Sequence, residues 1–305
     1  VIAVAVVAAV AWFANPGWSL RGGDGSGEAL QAQAQTVPQP VATTAPAVTT
    51  EAAPTATIDT HERDHGLSAS GTPARSKVTV PVLMYHRVAP MSTATNATSY
   101  SLTVTPAQFR QQMGWLKKNG YAAISQAELF RAIQDGASLP KKPVLITVDD
   151  GYVDAVTNML PVLEPLGWPA TFFIITSRIG ERAFLTAEQI TRLDRAGMDI
   201  GSHTVDHLEL PSLDESSRMQ QLRSSRATLE KLLGHPVRWF CYPAGRNDSA
   251  SAASVGKAGY LLGYTTEGGS VLRADSLTQL PRVRVSGGQS LDSFGASVRA
   301  ASAAR

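Results

Sequence analysis

Short apolar runs of strand length alternate with helix-patterned stretches from Val78 onward, and this alternation constrains the fold more than any other feature. VTVPVLMY (78–85), PVLITV (143–148), PATFFII (169–175), MDIG (198–201), VRWFCY (237–242), YLLGY (260–264) and LPRVRV (280–285) read as buried strands, with YAAI (121–124) a shorter one. Helix signals lie between them. Thr105-Pro106 opens a helix with Phe109, Met113 and Leu116 on one face and Gly120 past its end. Ser125 with Glu128, Thr186 with Gln189 and Ser212 with Glu215 have capping-box spacing. Seven or eight such units over roughly 220 residues fit a compact (β/α) barrel. An open doubly wound sheet is the alternative, but no G-x-G-x-x-G follows the first strand.

Ahead of this part the composition is different. Residues 1–20 begin with the uncharged run VIAVAVVAAVAWFA, which reads as a signal-peptide core or a membrane signal-anchor. Residues 21–77 are rich in Ala, Thr, Pro and Gln and poor in large apolar side chains, so burial there cannot offset the cost of ordering. They are expected to be a disordered linker, with the folded domain at 78–305. The single cysteine, Cys241, rules out an internal disulfide and any multi-cysteine zinc site. A net charge of +2, with both signs scattered, gives no reason to expect nucleic acid as a partner.

Polar residues cluster where strands end. His86 follows the first strand, Asp149 and Asp150 follow PVLITV, His203 and His207 follow MDIG, and Tyr242, Pro243, Ala244 and Gly245 follow VRWFC. In parallel α/β architectures these positions converge on one rim, where sites are built. Two adjacent carboxylates at the mouth of an apolar strand repel each other, although Asp-Asp-Gly is also ordinary turn chemistry. Two histidines four apart plus one carboxylate suit a catalytic Zn²⁺ or another divalent ion. One aspartate would then hold the ion and the other take a proton from water.

TVDDG, HTVDH and FCYPAG, in this order and spacing, resemble the polysaccharide deacetylases, also called the NodB-homology or carbohydrate esterase 4 family. The resemblance spans about residues 80 to 285. It implies a distorted (β/α)7-type barrel and metal-dependent removal of acetyl groups from GlcNAc-containing polysaccharide. The ion would be Zn²⁺, with Co²⁺ or Ni²⁺ as substitutes. By position, Asp149 matches the family's base, and Asp150, His203 and His207 match its metal ligands. The loop Tyr242 to Gly245 would meet the substrate and the oxyanion, with Tyr242 the aromatic placed to stack on a sugar and Trp168 and Trp239 in the core.

Three positions depart from the family pattern. Cys241 stands where the family's base-orienting Arg is found, and it is expected to be a small, half-buried packing residue. No His occurs after Val285, where the family's acid is found, and Val148 replaces a Phe. Arg282 or Arg284 could replace the Arg, with only one of the two expected to face the barrel mouth. His86 is the candidate acid, since His61 and His65 lie in the linker and His235 in a turn. Asp206 is expected to be a local cap. LMYHRV with FCYPAG and LPRVRV resembles the branch that includes exported exopolysaccharide deacetylases. The expected protein is therefore an extracytoplasmic, monomeric enzyme, secreted or membrane-anchored. The alternatives are a non-catalytic glycan-binding module on the same fold and an O-acetyl esterase.

Overall fold

The computed structural model describes residues 67, 68 and 71–304. The apolar segment expected at 1–20 and most of the expected linker lie outside the described residues. Packing begins slightly before the expected boundary at Val78, since the Ala74 and Arg75 amides donate to the Gln134 and Ile133 carbonyls at 3.0 Å.

Seven strands form the barrel: β1 (Val82–Tyr85), β2 (Pro143–Val148), β3 (Thr171–Ile174), β4 (Asp199–Ser202), β5 (Trp239–Cys241), β6 (Leu262–Gly268) and β7 (Leu280–Arg284). Each pairs parallel with the next, and β7 pairs with β1 through Val283↔Leu83 and Arg284↔Met84. The ring is thus closed, which leaves no barrel edge unpaired. It is also uneven. β4 and β5 share one register pair, Ser202↔Phe240, and the β6–β7 register shifts between Tyr264 and Gly268.

Side chains alternate across the ring with period two. Leu145, Phe173, Trp239, Cys241, Tyr264 and Leu280 belong to one core cluster, while Ile146, Val148, Phe172, Ile174, Phe240 and Tyr242 join the helix-facing one. Thr147, Asp149 and Arg282 have the same parity as the first set. A carboxylate and a guanidinium therefore enter the barrel at its top.

VTVPVLMY is not one strand. Pro81 has no amide hydrogen for a ladder, and the run splits at it. Lys77–Thr79 pairs antiparallel with Val271–Arg273, and only Val82–Tyr85 enters the ring. The capping boxes at Thr105, Ser125 and Thr186 are present on helices Pro106–Lys118, Gln126–Gln134 and Ala187–Arg195. Ser212 instead ends a 3₁₀ turn. Asp214 caps Glu215–Leu233 by accepting from the Ser217 amide at 2.7 Å. A C-terminal helix, Leu291–Ala303, was not among the expected elements. Its Phe294 packs edge-on to Trp115, with ring centroids 5.9 Å apart.

Candidate metal centre

The loops after β1, β2, β4 and β5 meet above the carboxyl end of the ring. Four non-glycine residues have positive φ among the described residues: Asp150 (75°), Thr204 (68°), His207 (59°) and Ala244 (52°). All four lie in these loops. Such backbone costs of order 1–3 kcal/mol per residue and persists only where the surroundings enforce it.

The enforcing contacts can be named. After β2, the Leu185 amide donates to the Gly151 carbonyl at 2.9 Å. After β4, Gln221 of helix Glu215–Leu233 accepts from the Val205 and Asp206 amides at 3.1 and 2.9 Å and donates to Asp206 Oδ2 at 2.7 Å. Asp206 is thus half of a clasp to a helix rather than a local cap. The His207 amide donates to Thr204 Oγ1 at 3.0 Å. After β5, Gly245 (φ 69°) packs so closely on Thr266 that a side chain there would collide with it.

These backbones bring Asp150, His203 and His207 together. Asp150 Oδ1 lies 3.5 Å from His203 Nε2 and 3.7 Å from His207 Nε2. His203 Nδ1 lies 2.7 Å from the Cys241 carbonyl oxygen, which can only accept. Nδ1 therefore carries a proton, which leaves Nε2, the nitrogen facing Asp150, as the atom that takes up either a proton or a cation. Burial, with His203 close by, pushes His207 down to about 4, so it is neutral at ordinary pH. Burial also acts downward on His203, but Cys241 and Asp150 outweigh it and raise the imidazole well above its ordinary value. A pull of that kind on a proton is equally a pull on a cation. The donor set fits a divalent ion: bonds of about 2.0–2.1 Å at tetrahedral angles put ligand atoms about 3.3–3.4 Å apart.

Asp149, His203 and Cys241 also converge, but the guanidinium of Arg282 already holds that place. It is 1 % exposed, donates to Asp149 Oδ1 at 2.8 Å and Oδ2 at 2.7 Å, and lies 3.2 Å from Cys241 Sγ. It also donates to Thr147 Oγ1 at 3.1 Å and the Thr265 carbonyl at 2.8 Å. Burial pushes Asp149 up, yet Arg282 overrides it and holds the carboxyl well below the usual range. His86 Nε2 stands 3.7 Å from Asp149 Oδ2, and its buried Nδ1 has no partner. Burial lowers His86, against the pull of Asp149 and Asp150.

Three expectations are corrected. Only one of Arg282 and Arg284 lies at the site, as expected, but alternation along the strand is not the reason: two residues apart, they share a face of β7. Depth separates them, because Arg282 is sunk in the barrel and Arg284 is exposed. Tyr242 has outward parity: it is fully buried, edge-on to Phe240 with centroids 5.0 Å apart, and cannot stack on a sugar. Cys241 is fully buried rather than half-buried. Within the Tyr242–Gly245 loop, Tyr242 N–H donates to Tyr264, Gly245 N–H donates to Tyr242, and Pro243 has none. Ala244, exposed at the bend, is the loop residue whose N–H is left available. Trp239 lies in the core inside the ring, Trp168 packs partly buried against the helix-facing core, and His235 Nε2 pairs with Asp194 at 2.9 Å, away from the rim. His61 and His65 lie outside the described residues.

A closed parallel barrel with a carboxylate and two imidazoles gathered at its carboxyl rim defines a class of barrel proteins with a rim metal centre. The profile of the polysaccharide deacetylase family matches residues 136–263. YxkH of Bacillus subtilis, which carries the same family's name, is 35% identical over 217 residues, covering 71% of this chain and 75% of the relative. The Streptococcus pyogenes deacetylase PplD, solved with acetate, superposes with a TM-score of 0.67 at 29% identity, covering 73% of this chain and 99% of that one. A Staphylococcus aureus poly-β-1,6-N-acetyl-D-glucosamine N-deacetylase is 25% identical over 229 residues, covering 67% of this chain and 78% of the relative. The chain belongs to the polysaccharide deacetylase family, whose members are metal-dependent.

Proposed function

We propose that this chain is a metal-dependent hydrolase that removes N-acetyl groups from a GlcNAc-containing polysaccharide. The observation that carries this reading is the pairing of two differently held aspartates. Asp150 lies against two imidazoles, and Asp149, next in the chain, lies in the fork of a buried arginine. A turn-forming Asp-Asp-Gly needs neither partner. The relatives named as poly-GlcNAc N-deacetylases support the substrate class.

Asp150, His203 and His207 would hold the ion, with Zn²⁺ the first choice for an N₂O donor set and Co²⁺ or Ni²⁺ as substitutes. When bound, such an ion supplies Lewis acidity at the acetamide carbonyl and at the attacking water. Asp149 takes the proton from that water, and Arg282 keeps its carboxylate ionised and aimed. The Ala244 N–H is the loop donor available to the developing oxyanion. His86, whose Nε2 stands 3.7 Å from Asp149 Oδ2 at the rim, delivers a proton to the leaving nitrogen. The active unit is the domain at 78–305. Segments 1–20 and 21–77 would carry it outside the cytoplasm as signal or anchor and linker, and no helix among the described residues is long and apolar enough to cross a membrane.

The test is to incubate the protein with GlcNAc oligomers, peptidoglycan, poly-GlcNAc and acetylated xylan, measuring free acetate and new primary amines. Equal amounts of acetate and amine, lost with chelator, are expected. Acetate without amine would mean an ester substrate, and binding without either product would mean a glycan-binding module.

A further inference from the structure

The exposed large hydrophobic side chains among the described residues are Tyr100 and Leu208, at 48% and 43%. Both stand on loops at the carboxyl rim. Tyr100 is in the segment after β1, and Leu208 directly follows His207 in the segment after β4. In a ring of seven, β1 and β4 lie on opposite sides. The apolar pair therefore flanks the Asp149–Asp150 centre from two walls.

Tyr100 is held rather than loose. Its short helix, Ala97–Leu102, is capped by Asn96, and the chain then pairs back through Arg87↔Thr103 and Val88↔Val104, beside His86. The double glycine after β7 lets a second loop lie against it. The Gly287 amide donates to the Ser101 carbonyl at 2.9 Å, and a side chain there would collide with the Tyr100 carbonyl. At Gly288 (φ 74°) a Cβ would sit 2.9 Å from Tyr100 Oη and 3.4 Å from Cε1. The phenol thus rests on bare backbone, with much of the ring open to solvent. Summing a peptide step, a strand spacing and a helical i,i+3 step puts Tyr100 within about 15 Å of His86. That is the reach of a few sugar units.

We propose that the barrel mouth is an open cleft that binds an internal stretch of the polysaccharide, with Tyr100 as a stacking platform on one side and Leu208 as an apolar contact on the other. This rests on the polysaccharide reading of the site above. The C–H face of a pyranose ring loses apolar surface to water when it lies on an aromatic ring. A platform already fixed by its neighbours adds little ordering cost on binding. Contacts on both walls favour a unit with sugar on either side of it over one at a chain end.

The test measures kcat and KM for GlcNAc oligomers from dimer to hexamer with wild type, Tyr100→Ala, Tyr100→Phe and Leu208→Ala, and maps the deacetylated units by mass spectrometry. In wild type KM falls as the oligomer lengthens, and the first amines appear at interior units. Tyr100→Ala raises KM for the hexamer about tenfold and flattens the length dependence. Tyr100→Phe, which keeps the ring, keeps both. Leu208→Ala raises KM for the longer oligomers by a smaller factor. Metal content and melting temperature check that the variants are folded. An unchanged length profile in both alanine variants, or attack confined to terminal units, overturns the cleft while leaving the deacetylase reading intact. A wild type that releases no acetate from any oligomer overturns both.

Discussion

Arg282→Met tests whether the buried guanidinium is what keeps Asp149 charged inside the barrel. The substitution removes both hydrogen bonds to Asp149, whose residue is 2 % exposed, and leaves the carboxylate without its cation. Removing one partner of a buried ion pair costs about 3–5 kcal/mol. For a domain of this size, that lowers the melting temperature by about 10 °C. The sign of the pH dependence follows from Asp149. In wild type its folded pKa lies below the unfolded value of 3.8, so its contribution is present above about pH 4 and lost as pH falls through the folded value. In the variant burial acts without Arg282 and raises the folded pKa above the unfolded one. The variant is then penalised increasingly as pH rises above about 4. The gap between the two proteins should be widest at pH 7 and shrink toward pH 4.5. Urea unfolding of the metal-stripped proteins at both pH values measures it, and Asp149→Asn with the double variant completes a cycle. The reasoning fails if the gap at pH 7 is below about 1 kcal/mol, if it is the same at both pH values, or if the two substitutions are additive.

Other expected outcomes concern the ligands and the proton transfers. His203→Ala or His207→Ala should lose most of the bound metal, and a double variant that keeps one equivalent and full activity would remove the site from consideration. Asp150→Asn should weaken metal binding, whereas Asp149→Asn should keep the metal and lose roughly 10²-fold or more in kcat; exchanged phenotypes would reverse the two roles. His86→Ala should lose more activity on an amide than on 4-nitrophenyl acetate, whose phenolate departs without a proton, and equal losses would point to positioning instead. Gln221→Leu removes the clasp on the Val205 and Asp206 amides, so metal affinity should drop although no ligand is changed; titration calorimetry with Zn²⁺ or Co²⁺ reads it, and an unchanged affinity counts against the clasp.

The strand runs were legible in the sequence because apolar residues of that length, bounded by turns, have few other uses. His86, Asp149, Asp150, His203 and His207 were legible as a group because each follows such a run, and parallel strands bring their carboxyl ends together. Three capping boxes were legible because they are local hydrogen-bond exchanges. Ring closure, stagger and depth were not, since they depend on how all seven strands tilt against one another. That geometry alone sinks Arg282 onto Asp149 while Arg284, on the same face, stays in solvent. It also turns Tyr242 outward into the helix layer, whereas Cys241 beside it faces the guanidinium. The positive φ of Asp150 and His207 was hidden as well, because neither residue type requires it. Contacts far away in sequence, such as Gln221 on the His207 loop and Leu185 on Gly151, impose it. The sequence by itself determined that His86, Asp149, Asp150, His203 and His207 reach the rim. The tertiary structure decided which of them face one another, because pairing across a barrel is set by register and depth rather than by any local pattern.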